Sequence, residues 1–369
     1  MKRYNHIFER IINIDNIIKA INRASKGKRG RKEVERILDS PLFYAMEIRK
    51  MLVNKLYVPN KSKEAIIIDG ISRKVRVIHK PKFYPDQIIH WSIMLILEEY
   101  FMKGMYHYSC ASIKGRGVYY GAKYLKKILK CDKKNTKYCL KLDIKKYYPS
   151  IDKEILKSKF KRLFKDKDLL ELLNIIIDSE ENIPIGFYTS QWFANFYLTD
   201  LDHYIKEKLK IKYYIRYADD MVLFSNNKKL LHKARILVEH YLKKENLKLK
   251  GNYSLFKVDN RFIDFLGYKF YRGYIKLRRG IFLKIKRKVK KIYKKKYINI
   301  HNAYSMISYN GWIIHSNYYN YYIKYIKPYV DIEVCKKIIS LYDKNSIYFF
   351  LWKLIKLFIL GLQVKNYLL

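Results

Sequence analysis

Residues 137–144 read KYCLKLDI and residues 212–224 read KYYIRYADDMVLF. In the first stretch Tyr138, Leu140, Leu142 and Ile144 fall on one side and Cys139, Lys141 and Asp143 on the other, the alternation of a strand with one buried face. Asp143 projects from the end of that strand, opposite the apolar set, and Pro149 ends any ladder soon after. In the second stretch two runs rich in β-branched and aromatic residues are joined by Ala218-Asp219-Asp220, the pattern of a tight hairpin with two acids at its tip.

Working outward, helical spacing of apolar residues covers residues 153–177, 190–209 and 228–246, so strands alternate with helices and the fold class is α+β. Toward the N-terminus, residues 7–21 and 34–52 read as helices separated by the basic, glycine-containing break RASKGKRGR at residues 23–31. Residues 65–68 and 74–78 flank the turn signal Asp69-Gly70 and read as a hairpin carrying Arg73, Lys74 and Arg76, with a helix over residues 86–101 beyond it. Past Phe270 the composition shifts to Lys, Tyr and Ile with a mostly helical reading, which points to a domain boundary near Arg272; no internal repeat interrupts the pattern.

A chain of 369 residues with 49% hydrophobic residues can bury a sizeable core. Its 78 Lys and Arg against 33 Asp and Glu leave a formal charge of +45, and such an excess calls for an anionic partner. The most apolar run, residues 346–362, is too short to span a bilayer and is interrupted by Lys353 and Lys356; the N-terminus has no apolar signal-peptide core. Four cysteines with neither metal-ligand spacing nor a disulfide framework fit reduced thiols in a cytoplasm. The partner expected is therefore nucleic acid, with no membrane.

Extending a nucleic-acid strand requires clustered carboxylates, because divalent ions must stabilise the entering and leaving oxygens and Mg²⁺ prefers hard oxygen ligands. One Asp from a strand end and a pair from a neighbouring hairpin supply such a cluster, although an ordinary acidic turn would read as YADD does. The wider context decides. LDIKKYYPSID (residues 142–152), IPIGFYTSQWFANFYLTDLDHYI (183–205), YIRYADDMVLFS (214–225) and FLGY (265–268) resemble, in order, successive palm motifs of bacterial reverse transcriptases, and KVRVIHKPKFYPDQIIHW resembles that family's fingers segment. The resemblance covers roughly residues 8–279 and takes in group II intron, retron and diversity-generating retroelement enzymes.

That resemblance implies a right-handed fingers, palm and thumb arrangement, with fingers over residues 1–136, palm over 137–271 and a basic helical thumb over 272–369. It implies Asp143, Asp219 and Asp220 as catalytic residues that hold two Mg²⁺ ions, for which Mn²⁺ is expected to substitute, with the backbone at Ile144 as a further oxygen ligand. It makes Tyr148 the steric gate that selects dNTPs, a core aromatic being the other reading in a chain with 37 tyrosines. Arg76, with Lys74 and Lys80 as helpers, becomes the clamp on the incoming triphosphate, a template-phosphate contact being the other reading, while Gly186 lets the nascent base pair approach and Ser190 and Gln191 orient the dNTP or the template. Gln191 resembles diversity-generating and several defence-associated groups, whereas many relatives carry Pro there. A lysine that many relatives place before FLGY has no clear match, which leaves Lys250 or Lys257 as substitutes or the segment as structural. That departure and SYNGWIIHSNYYN (residues 308–320) lean the resemblance toward defence-associated or unclassified enzymes.

The expected function is RNA-directed DNA synthesis on a structured, cognate non-coding RNA in antiphage defence, with a DNA primer or product and dNTPs as further partners. The expectation also holds that no endonuclease, maturase or integrase segment follows the thumb. Nucleic-acid contacts are expected at Arg23, Lys26, Lys28, Arg29 and Arg31 and at Arg278 and Arg279. A diversity-generating enzyme, an RNA-binding protein with a vestigial site, a protein-primed or template-free enzyme, and a homo-oligomer or accessory protein stay open.

Overall fold

The computed structural model describes residues 3–68, 75–295 and 297–342, so the Asp69-Gly70 turn, Arg73, Lys74 and the apolar run at 346–362 lie outside the described residues. The chain divides into two compact units, Met1–Arg261 and Phe262–Leu369.

In the first unit the helices α1 (Phe8–Ile11), α2 (Ile14–Ala24), α3 (Lys32–Asp39) and α4 (Pro41–Val53) precede a hairpin of β1 (Lys63–Ile68) and β2 (Val75–Lys80). Helices α5 (Ile88–Gly104) and α6 (Val118–Cys131) lead to β3 (Tyr138–Asp143). Then follow α7 (Lys153–Leu163), α8 (Lys167–Asp178), α9 (Tyr188–Tyr197), α10 (Thr199–His203), β4 (Tyr213–Tyr217), β5 (Asp220–Ser225), α11 (Lys228–Lys244) and β6 (Ser254–Lys257). The α+β class expected from the alternation is what the chain adopts.

Four helical stretches that periodicity alone reads as continuous are cut, residues 190–209 at Leu198 between α9 and α10 and the other three by capping chemistry. Asn13 accepts the amides of Asp15 and Asn16 and starts α2 afresh. Pro41 at the first turn of α4 ends α3 at Asp39. Asp166 accepts the amide of Leu169 to start α8, and its other oxygen takes the amides of Ile7 and Phe8, which pins α1 to the α7–α8 corner. Helix α6 is an element the sequence reading passed over.

Strands β3 to β6 form one antiparallel sheet in the order β4-β5-β3-β6. Helix α11 packs on it, and a continuous core runs from α1 and α5 through Leu140 and Leu142 to Leu242 of α11. Cys139 lies on the side the alternation assigns to polar residues, yet it is fully buried, so only Lys141 and Asp143 keep that side of β3 open.

The second unit holds a three-stranded sheet of β7 (Ile263–Phe265), β8 (Tyr268–Phe270) and β9 (Ile275–Leu277), followed by α12 (Arg279–Lys295), α13 (Ile300–Ile314) and α14 (Tyr319–Tyr325). Residues 265–268 belong to this unit, whereas the compositional shift points to a boundary near Arg272. Gly267, at φ +81°, lets the β7–β8 turn meet the Trp312 indole, which a Cβ would approach to 2.6 Å. Asn317 receives the Ile275 amide on its side chain and donates its own amide to the Ile275 carbonyl, so residues 308–320 dock on the sheet edge.

Candidate active site

Pairing across the sheet sets the carboxylates. Asp143 ends β3 directly opposite Asp220, the first residue of β5, and Tyr217 pairs with Asp220 across the adjoining hairpin. The turn is thus Ala218-Asp219 alone, and Asp220 is a strand residue instead of a turn residue. Ala218 takes a left-handed φ of 53°, a conformation that a residue with a Cβ adopts at a cost, and such positions persist where their surroundings over-determine them. The Ile144 amide donates to the Asp219 carbonyl at 3.3 Å, tying the strand end to the hairpin tip.

What over-determines the turn is a buried ion pair that the sequence reading missed. Arg216 and Asp202 are both fully buried. The Arg216 guanidinium grips Asp202 with Nε to Oδ1 at 2.8 Å and Nη2 to Oδ2 at 2.6 Å. It also donates to the Ala218 carbonyl at 3.1 Å and to the side chain and carbonyl of Asn195, each at 3.3 Å. The Tyr214 hydroxyl donates to Asp202 at 2.7 Å. A forked cation satisfied on all sides is stable in a dry interior and fixes the groups it touches. The left-handed turn at Ala218 is visible only in the structure, and nothing local in the sequence marks Asp202 as the partner of Arg216.

Burial and the charge of Asp143 push the Asp219 carboxyl up to about 6. Asp143 splits its two oxygens: Oδ2 takes the Lys250 ammonium at 2.5 Å, while Oδ1 is buried with no hydrogen-bond partner among the described residues. The Lys250 amide also donates to the Asp143 carbonyl at 2.8 Å. Lys141 approaches Asp220 at 3.5 Å. Lys257 pairs with Tyr138 at the far end of β3, so of the two lysines only Lys250 reaches the acids.

No set of three or more His, Cys, Asp or Glu side chains among the described residues is already gathered about one point. The donors nevertheless suit a hard divalent cation. All are carboxylate oxygens on rigid elements, one buried oxygen has no other use, and the raised Asp219 carboxyl marks negative charge in need of a counter-ion.

Tyr147 and Tyr148 part company. Tyr147 is buried and its hydroxyl donates to the Ala194 carbonyl at 2.5 Å, whereas Tyr148 is half-buried. Burial pushes the Tyr148 phenol up to about 12, with the charge of Asp219 adding and that of Arg76 opposing, so both lie within electrostatic reach of Tyr148. Arg76 is exposed on β2.

Gly186, at φ +124°, meets the β1–β2 hairpin: a Cβ there would lie 2.3 Å from the His79 carbonyl, beside the bond from the His79 amide to the Ile185 carbonyl. Its close approach is therefore to β2 itself. Gly186 and Gln191 line a groove of about 550 Å³ together with Lys28, Arg31, Lys80 and Trp91, the Trp91 ring being stacked on Tyr188 at 3.9 Å. Ser190 is buried and does not reach this groove.

Of the remaining cations, Arg23, Lys26, Arg29 and Arg31 are exposed, the loop being folded by the Ser25 hydroxyl on Ile21 and the Gly30 amide on Glu35. Lys28 is partly spent on the Gln87 side chain and the Ala24 carbonyl, and burial followed by the charge of Arg31 lowers its pKa. In the second unit Arg278 is held by Asp264, while Arg279 opens α12 exposed. Among the described residues no helix is long and apolar enough to cross a membrane.

A family model described as reverse transcriptase (RNA-dependent DNA polymerase) matches residues 69–270. A similar curated protein is the retron Ec73 reverse transcriptase of Escherichia coli, 31% identical over 169 residues. The match takes in 42% of this chain and 50% of that protein, so the chain spans half the length of the curated relative it matches. Among solved structures the chain is similar to telomerase from Candida albicans in complex with a TWJ fragment of telomeric RNA, at 13% identity and a TM-score of 0.44 over 70% of this chain and 55% of that one. It is similar also to apo telomerase from Candida tropicalis, at 12% identity and a TM-score of 0.44 over 69% and 57%.

Proposed function

The chain belongs to the reverse transcriptase (RNA-dependent DNA polymerase) family, and from that premise we propose that it copies RNA into DNA at Asp143, Asp219 and Asp220. The observation that carries this reading is the register that sets Asp143 opposite Asp220 with Asp219 in the adjoining turn. These three side chains, with the backbone oxygen of Ile144, would hold the Mg²⁺ ions, for which Mn²⁺ would substitute. When bound, the metal supplies electrostatic stabilisation of the entering and leaving oxygens.

The protein's own residues do the rest. Arg76, with Lys74, binds the triphosphate of the dNTP. The Tyr148 ring stands where a 2′-hydroxyl would lie and rejects ribonucleotides. The groove at Gly186 and Gln191 takes the template strand, with Arg31 on its wall. Lys250, already on Asp143, is placed to hold a proton for the pyrophosphate leaving group. Fingers and most of the palm occupy the first unit, the palm motif at residues 265–268 falls in the second, and the helices after Arg272 form the thumb.

The template in this reading is a structured, cognate non-coding RNA and the product serves antiphage defence. The similarity to a retron enzyme favours this template over that of a diversity-generating retroelement.

Primer extension on an RNA template tests the reading. Asp219→Asn with Asp220→Asn should lower extension by about 10³-fold or more while RNA affinity stays within about twofold, since these acids do not attract phosphate. Adding Asp143→Asn should cost little more, as the three act as one unit. Extension near the wild-type rate in the double variant would overturn the assignment.

A further inference from the structure

A cavity of about 950 Å³ is lined by none of Asp143, Tyr148, Gly186, Asp219 or Asp220, although Phe196, Thr199, Asp200 and His203 of the 183–205 motif stand on its wall. Its walls come from the N-terminal segment, the end of α5, the middle of α7 and the α9–α10 junction. Five of its lining residues are Lys or Arg and one is an acid.

That single acid is already committed. Asp200 accepts Lys159 at 2.8 Å and Arg162 at 2.5 Å, and Lys159 takes Glu245 as well. Arg3, Lys103 and Lys161 are exposed and no ion pair within 4 Å is seen for them among the described residues, although the charge of Lys103 acts on Glu99. Two of them share one rim, because the Arg3 guanidinium donates to the Lys161 carbonyl at 3.5 Å. The third stands over rings: the Lys103 ammonium lies 4.9 Å from the centroid of Tyr4 and 5.2 Å from that of Tyr100. Half-buried Tyr4, Tyr100 and Phe196 thus present aromatic surface beside an excess of positive charge.

We propose that this cavity is a second nucleic-acid site, which takes a single-stranded segment of RNA outside the duplex being copied. The chemistry selects the ligand. Phosphates answer the exposed cations Arg3, Lys103 and Lys161, and unpaired bases have the flat faces that aromatic rings accept, a combination typical of grooves that track single strands. A free phosphate would leave the rings unused, and a cavity of this volume holds more than one nucleotide. The proposal rests on RNA being the substrate of the reading above, but not on the catalytic acids.

The test compares full-length protein with Lys103→Glu/Lys161→Glu and with the milder Lys103→Gln/Lys161→Gln, each checked for an unchanged melting temperature. The probes are a 60-nucleotide single-stranded RNA of mixed sequence and a short RNA–DNA template–primer. Both variants should bind the 60-mer about tenfold or more weakly, with a salt slope shallower by about 1.4, the value for two lost phosphate contacts on a single strand. Binding and extension of the short hybrid should stay within about twofold. Unchanged 60-mer binding would overturn the proposal, as would an equal loss on both probes, which would place these charges at the copied duplex. Preference for poly-glutamate over the 60-mer at matched ionic strength would overturn it in favour of an acidic protein partner. Asp219→Asn/Asp220→Asn should keep full 60-mer binding, so loss of the catalytic reading and loss of this one give different results.

Discussion

Two neighbouring tyrosines with identical chemistry are separated by what surrounds them. Tyr148→Ala should raise ribonucleotide incorporation relative to deoxyribonucleotide incorporation well above the ratio seen for Tyr147→Ala. Tyr147→Ala should instead cost about 3–5 kcal/mol of stability, because it empties a buried ring site and orphans the Ala194 carbonyl. Parallel substrate-competition assays and urea melts check both, and equal substrate ratios for the two variants would misplace the gate. Asp219 carries its own signature. Its folded-state value of about 6 lies above the ordinary 3.8, so the folded chain holds this proton more tightly than the unfolded one. Ionisation therefore destabilises the fold, an effect absent below about pH 4 and complete above about pH 6. In Mg²⁺-free buffer Asp219→Asn should melt higher than the wild type at pH 7.5, with the difference vanishing at pH 4; an equal difference at both pH values would refute the buried-charge account.

At the level of elements, the hairpin of β4 and β5 is aimed by groups outside it. Asp202→Asn leaves the Arg216 guanidinium buried without its counter-charge and should cost about 3–5 kcal/mol. Replacing the pair together, Arg216→Met with Asp202→Leu, should recover much of that stability, as apolar substitutes for buried pairs do. It would not restore the bond to the Ala218 carbonyl, so extension should remain about 10²-fold down, the scale of a misplaced catalytic group. Urea melts alongside extension rates separate the two effects, and full activity in the stable double variant would show that the clamp only stabilises. Gly186 makes the complementary link, since its missing Cβ lets β2 and the turn before α9 share a backbone bond.

For the whole molecule, a charge of +45 on 369 residues predicts RNA affinity that falls steeply with salt. If roughly 6–10 phosphates are contacted, affinity for a duplex should drop by about 10³ to 10⁵ between 50 and 200 mM salt. Neutralising the exposed Arg23, Lys26, Arg29 and Arg31 to Gln should shallow that slope; a filter-binding series with no change in slope would assign the excess of lysine to composition instead of to a binding surface.

The α+β class, the strand ending in Asp143 and the acidic hairpin were legible because alternation and turn chemistry are local. Each is written within a dozen residues of itself. Helix breaks at Asn13, Pro41 and Asp166 were legible in principle, since the capping residues are visible, but a continuous apolar period masked them. Tertiary structure alone decided the rest. Asp202 joins Arg216 from 14 residues away, and Lys250 reaches Asp143 across 107. Gly186 proves to be shaped by His79, and Tyr148 stays half-exposed where Tyr147 is buried on the Ala194 carbonyl. Such partnerships depend on which side chains are removed from water together, and residues far apart in the chain leave no periodic trace of sharing that burial.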